Sequence, residues 1–258
     1  MEHEHEPSLR NDEVPWSAWD ADEYWKFNFA EVFPEDAEII KFASKFLISA
    51  CGMPGSFESA VDVGAGTNLY PGLLMLPWAK HIVFTEFAAD NIRWLRENLA
   101  DTPGEWKWQR FWNLVARQPC YQDIEQPRGR LAQVHEVRTL SIFELPPRTW
   151  DIGSMFFVAD GITEDWNEFE VAVRTFLDAL KPGSPFLMAF MEGSTGYRVD
   201  GVEFPSVQLT LDLLDDLLAR LPVVGQRVLR TDNSIRQLRE GYTAMLLVAG
   251  WVAGNARS

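Results

Sequence analysis

Apolar positions along this chain fall into short runs divided by longer stretches of helical spacing. The run Ser59-Ala60-Val61-Asp62-Val63 is small and β-branched and ends in a glycine turn, which predicts a buried strand; Leu69, Leu73, Leu74 and Leu76 then open a helix-like spacing. Before it, Ile39, Ile40, Ala43, Phe46 and Leu47 form one stripe, predicting a helix over 35–50 that stops ahead of Gly52. After it, the pattern predicts a strand over 81–86 and a helix over 90–100 carried by Ile92, Leu95 and Leu99, then strands over 132–137, 150–158 and 184–191. Between the last two, Asp165 with Glu168 three residues on reads as a helix N-cap with its reciprocal acid, and Lys181-Pro182-Gly183 stops that helix. Leu211, Leu214, Leu218 and Leu221 mark a further helix, with Asp212 in its first turn, and two strands near 223–231 and 242–251 close the chain. Strands alternating with helices imply an α/β fold, a mostly parallel sheet with helices on both faces, whose last two strands pair antiparallel at one edge.

Two stretches break the pattern by being aromatic. Trp16, Trp19, Tyr24, Trp25 and Phe27 crowd into 14–30, as an N-terminal lid over a flat ligand or an anchor onto the domain. Trp106, Trp108, Phe111, Trp112 and Tyr121 fall within 102–130, an expected insertion or cap over the site. Residues 1–13 alternate charge without an apolar period and read as a frayed terminus, although His3 and His5 could scavenge a metal; 14–258 reads as one domain.

Charge narrows the ligand. A formal net charge of -15 over 258 residues repels phosphate backbones and anionic lipid, so neither a nucleic-acid nor a membrane partner is expected, and a neutral or cationic small molecule suits the chain better. No apolar run spans a bilayer, no leader pattern opens the chain, and Cys51 and Cys120 are too few for a disulfide framework, so a cytoplasmic protein is expected, monomeric or a weak homodimer.

The candidate chemistry sits at the first strand. Gly64 and Gly66 let the backbone turn and approach a ligand, but Leu69 stands where a dinucleotide fingerprint has its third glycine. That favours a ligand without phosphates, such as S-adenosylmethionine and its product S-adenosylhomocysteine. Glu86, about twenty positions on at the end of the next strand, is placed to accept from ribose hydroxyls. The site asks for no metal. An ordinary strand and turn, an NAD(P)-dependent oxidoreductase and a non-catalytic metabolite-binding protein are the competing readings.

Four motifs go further: Tyr24-Trp25-Lys26-Phe27, Asp62-Val63-Gly64-Ala65-Gly66-Thr67-Asn68-Leu69-Tyr70, Thr85-Glu86-Phe87 with Asn91, and Leu180-Lys181-Pro182-Gly183. Together they resemble the nicotinamide, phenylethanolamine and thioether methyltransferases, over nearly the whole chain, within the class I S-adenosylmethionine-dependent methyltransferases of Rossmann-like fold. The resemblance implies a seven-stranded sheet with a C-terminal antiparallel hairpin. It implies that Tyr24 and Trp25 cover the cofactor, that Gly64, Ala65, Gly66, Thr67 and Tyr70 meet its methionine end, and that Glu86, Phe87 and Asn91 hold ribose and adenine. Glu136 and Val137 take the place of the family's Asp-Val beside adenine, with Phe156 near by. On the acceptor side it implies Trp19, Asp20, Phe157, Asp160, Tyr197 and Ser206, with Glu192 as the catalytic acid that orients an amine and takes its proton. Asp20 and Phe190 stand where the nicotinamide enzyme keeps an aromatic residue and an aspartate, which points away from nicotinamide. Methylation of a small amine on nitrogen is the expected activity, with an oxygen or sulfur acceptor as the alternative.

Overall fold

Strand β1 (Phe57–Val63) lies inside the sheet, paired in parallel with β2 (Ala79–Glu86) on one side and β4 (Ile152–Phe156) on the other. The computed structural model describes residues 9–231 and 239–254. Outward from β2 lies β3 (His135–Thr139); outward from β4 lie β5 (Pro185–Glu192), β9 (Ala244–Val252) and β8 (Val223–Arg230), giving the order β3-β2-β1-β4-β5-β9-β8. Strand β9 is antiparallel to both neighbours. Its residues are apolar and almost all buried, so it belongs inside the sheet, whereas the half-polar β8 takes the exposed edge. The expected terminal pair is therefore present, with the order along the sheet fixed by which strand can tolerate water.

Helices α1 (Ala21–Phe29), α2 (Pro34–Cys51), α3 (Tyr70–Met75), α4 (Ala89–Leu99), α5 (Gln109–Val115) and α6 (Pro127–Val134) contribute to the core on one face of the sheet, and α7 (Trp166–Ala179) and α8 (Leu211–Leu218) to the core on the other. Alternation along the strands assigns the faces. In β5, Leu187, Ala189 and Met191 face the α2 side while Phe186, Met188 and Phe190 face α7 and α8.

Four expectations shift. Residues 132–134 are helical because Pro127 starts α6 and Leu131 and Val134 bury its inner side, so β3 begins only at His135. Asp165 caps α7 by accepting from the N–H groups of Asn167 and Glu168 at 2.7 and 3.3 Å, but Glu168 does not reach back. It accepts the Asn11 N–H at 2.8 Å instead, and Glu164 accepts that of Leu9 at 3.0 Å. Residues 9–13, expected to fray, are thus pinned to the start of α7; His3 and His5 lie outside the described residues. The aromatics of 102–130 are core. Phe111 stacks on Tyr70 at 5.6 Å, Trp108 packs on Phe29 at 5.5 Å, and Tyr121 donates to the Leu74 carbonyl at 2.8 Å. With α3 only 6 residues long, this segment completes the helix layer rather than covering the site.

A second sheet is new: β6 (Tyr197–Val199) and β7 (Val202–Phe204) form a hairpin across Asp200-Gly201, both at positive φ. Asp-Gly between short apolar runs is the sequence signal for such a turn. The hairpin presents Tyr197 and Phe204, stacked at 5.5 Å, back towards α1.

Candidate active site

Strand order reverses between β1 and β4, and in an open parallel sheet a crevice forms at the carboxyl ends of the strands at such a point. Here it encloses, with its open mouth, about 810 Å³. Its floor is the loop after β1. Gly64 and Gly66 are both left-handed, at φ 61° and 53°, and a Cβ on Gly64 would stand 2.5 Å from a methyl of Val158. The turn lets Ala65 donate to the Thr85 carbonyl at 3.1 Å and aims the Gly66 N–H at Glu86 Oε2, 2.8 Å away.

Glu86 ends β2, buried at the crevice wall. Its other oxygen accepts from the N–H groups of Phe87 and Ala88 at 2.6 and 2.9 Å. Burial raises this carboxyl above its ordinary value, and the three backbone donors work against that rise. Oε1 has both lone pairs engaged by the Phe87 and Ala88 N–H groups, so the acceptor left for a ligand's hydroxyl is Oε2. Asn91, in the first turn of α4, accepts the indole N–H of Trp19 at 2.8 Å, which ties the N-terminal aromatics to the crevice. Gly64, Ala65, Gly66 and Thr67 line it below, and Phe87, half exposed, stands at its mouth. Phe156 and Phe157 line it from the end of β4, with Trp19, Tyr24 and Tyr197 opposite.

Other expected residues lie elsewhere. Trp25 turns to the α4 side, where Lys107 Nζ sits 4.7 Å from its ring. Tyr70 is wholly buried beneath the loop, stacked on Phe111. Glu136 pairs with His81 at 2.9 Å and Arg138 at 2.6 Å on a half-exposed surface; Arg138 and His81 hold its carboxyl down at about 2. Neither Glu136 nor Val137 lines the crevice, because β3 runs on to Thr139 and the residues that emerge at its end are Leu140, Ser141 and Ile142. Asp20 caps α1, accepting from the Glu23 N–H at 2.9 Å. Asp160 accepts from the Met191 N–H at 2.8 Å and, like Ser206, is buried away from the crevice. Glu192 is also outside it, bonded to Arg230, Thr243 and the first N–H of α8.

Trp16 and Phe29 line the crevice from the segment expected as a lid, while Ile162 lines it without having been expected there. Trp16 belongs to the aromatic segment that marked the lid, whereas Leu140 to Ile142 carry no motif and become visible only once the end of β3 is fixed.

Known proteins bear on this crevice in two ways. Across 207 residues, 74% of this chain and 75% of the relative, the sequence is 21% identical to indolethylamine N-methyltransferase of Mus musculus. Across 143 residues, 52% of this chain and 51% of the relative, it is 24% identical to phenylethanolamine N-methyltransferase of Homo sapiens. In fold it is similar to the N-methyltransferase NodS from Bradyrhizobium japonicum WM9 bound to S-adenosylhomocysteine, with a TM-score of 0.54 at 12% identity, covering 90% of this chain and 92% of that one. The family model matches residues 12–249, so the chain belongs to the NNMT/PNMT/TEMT family.

Proposed function

We propose that this protein is an S-adenosylmethionine-dependent methyltransferase that methylates a small amine on nitrogen. The observation that carries the cofactor is Glu86, a buried carboxylate fixed by the N–H groups of Gly66, Phe87 and Ala88 and presented to the crevice where a nucleoside's ribose would lie. The loop suits a ligand without a pyrophosphate, since Leu69 fills the third glycine's place with a wholly buried side chain. Both N-methyltransferase relatives favour nitrogen over oxygen or sulfur. We read 14–258 as one methyltransferase domain, with Trp16, Trp19 and Tyr24 as its lid.

The bound cofactor supplies a methyl group on a positively charged sulfur. As the acceptor's nitrogen lone pair forms its bond to the methyl carbon, the carbon–sulfur bond breaks and its electrons stay on sulfur, leaving the neutral thioether product and a positively charged methylated nitrogen. The protein's share is to hold the atoms in line and keep water away. Phe156, Phe157, Tyr24 and Tyr197 form an aromatic wall suited to both tasks. The acidic surface and the free thiols of Cys51 and Cys120 support a cytoplasmic protein without a nucleic-acid partner, working as a monomer or weak homodimer.

Calorimetric titration with S-adenosylhomocysteine and with NAD tests the reading, and only the former is expected to bind. Glu86→Ala is expected to weaken that binding by roughly 1.5 to 3 kcal/mol, as for hydrogen bonds to a charged group. Unchanged affinity in the variant overturns the assignment. Labelled-methyl transfer to amines, phenols and thiols decides the acceptor atom.

A further inference from the structure

Arg239, ahead of β9, is buried to 6% exposure behind the crevice wall, where it meets two of the aromatic residues that face the ligand. Its Nη2 donates to the Tyr24 hydroxyl oxygen at 3.3 Å, and its guanidinium carbon lies 4.1 Å from the centre of the Tyr197 ring. Its Nη1 stands 3.8 Å from where a Cβ would sit on Gly161, a further residue of that wall. One side chain thus braces the lid helix α1 against the hairpin β6–β7. Tyr197 has two more ties: its hydroxyl donates to the Gly161 carbonyl at 2.9 Å, and its ring stacks on Phe204.

The guanidinium keeps its charge there. Burial works to lower its pKa, but Tyr24, Tyr197 and Asp160 more than offset that and raise it, and Arg239 in turn opposes the rise that burial gives Asp160. A guanidinium has donors and no acceptor, so the Tyr24 oxygen can only accept from it. The O–H proton of Tyr24 is left for another acceptor, and the crevice that Tyr24 lines is where a ligand supplies one. A phenol O–H with a fixed positive charge behind it favours an anionic acceptor over a neutral one.

We propose that Arg239 is a positioning residue of the crevice: it turns the Tyr24 hydroxyl inward as a donor to the carboxylate at the amino-acid end of the bound cofactor, and holds Tyr197 beside it. The proposal deepens the methyltransferase reading and rests on it. Glu86 offers a negative acceptor to the ribose hydroxyls, whereas Tyr24 with Arg239 behind it offers the opposite polarity. S-adenosylmethionine and its product match that division, since their hydroxyl donors are on the ribose and their one full negative charge is the tail carboxylate. Arg239 itself touches no ligand and acts through Tyr24; its permanent charge strengthens the phenol as a donor, and its contact with Tyr197 keeps the facing ring in register with the lid.

The test uses full-length protein and calorimetric titration with two probes, S-adenosylhomocysteine and the same molecule without its carboxylate. Wild type is expected to bind the intact probe about tenfold or more tightly than the decarboxylated one. Tyr24→Phe keeps the ring and removes the hydroxyl, and Arg239→Met keeps an extended side chain and removes the donors and the charge; each is expected to cut that preference to about threefold or less. Arg239→Gln, polar but uncharged, is expected to act in the same direction and serves if Arg239→Met does not fold. A residue that merely braced the fold would lower the denaturation midpoint and leave the preference at its wild-type value. Equal binding of the two probes to wild type, or a wild-type preference in Tyr24→Phe or in the folded Arg239 variant, overturns the proposal. Wild-type protein that binds neither probe overturns instead the cofactor reading beneath it.

Discussion

Arg230 donates from both Nε and Nη2 to one carboxylate oxygen of Glu192, at 2.9 and 2.6 Å, and the Thr243 hydroxyl reaches the same oxygen at 2.6 Å. The other oxygen accepts the Leu211 N–H at 3.3 Å, so Glu192 fastens the end of β5 to the start of α8 and to the β8–β9 edge. It works as a strut rather than as an acid for the substrate. Glu192→Gln is expected to cost about 1 to 2 kcal/mol of stability, at the low end for charged hydrogen bonds because Arg230 is half exposed. Burial raises the Glu192 carboxyl, but the bonds from Arg230 and Thr243 outweigh it and hold the group below its ordinary 4.5. A carboxyl lowered in the fold stabilises above its unfolded value and loses that contribution as pH falls. The gap between wild type and variant should therefore be full at pH 7 and shrink below 4.5. Denaturation midpoints at both pH values check this; a turnover loss of about tenfold or more in a variant of full stability would return Glu192 to the site.

What could be read from the sequence here follows a physical boundary. The floor of the crevice is local: Gly64, Gly66 and Glu86 sit on consecutive strand ends, and backbone geometry demands those residue types there. Anything set by the pairing of distant segments was hidden. Glu136 lies on β3 as expected of a residue near adenine, but three residues taken into α6 moved the end of that strand, and with it the crevice wall, on to Leu140. Glu192 and Arg230 are far apart in sequence, and nothing local announces that they meet. Glu35 and Asp36 read as ordinary first-turn acids of a helix; only tertiary burial makes them unusual.

Asp62 offers a test of the buried electrostatics beside the glycine turn. One of its oxygens accepts from the Ser154 hydroxyl at 2.7 Å, and the other is buried without a partner. Burial pushes this carboxyl up to about 8, against a smaller opposing effect of Ser154. A carboxyl raised in the fold contributes stability that is whole below its unfolded value of 3.8 and is lost as pH rises towards 8. Asn in its place accepts from Ser154 and never ionises. Between pH 5 and pH 8 the stability of Asp62→Asn should therefore gain on that of the wild type, by on the order of 2 kcal/mol. Urea denaturation at the two pH values measures it, and parallel pH profiles would mean that Asp62 is solvated or paired.

The aromatic N-terminus is latched rather than merely packed. Trp19 donates its indole N–H to Asn91 at 2.8 Å, packs at a tilt on Tyr24 at 4.7 Å and meets Phe204 of the hairpin edge-on at 5.0 Å; the Ala21 N–H reaches Asp90 at 2.9 Å. Asn91 also lines the crevice, so a bound nucleoside and the lid share one side chain. Ligand binding should tighten the segment that carries Trp16, Trp19 and Tyr24, as lids order on ligation and screen the reaction from water. Amide exchange over residues 16–27 is expected to slow when S-adenosylhomocysteine is added. Trp19→Phe keeps a ring and removes the donor; it is expected to weaken S-adenosylhomocysteine by about 1 kcal/mol and to lessen the added protection. Exchange that is equal with and without ligand would make the segment a fixed anchor, and Trp19→Phe would then lower stability while leaving affinity unchanged.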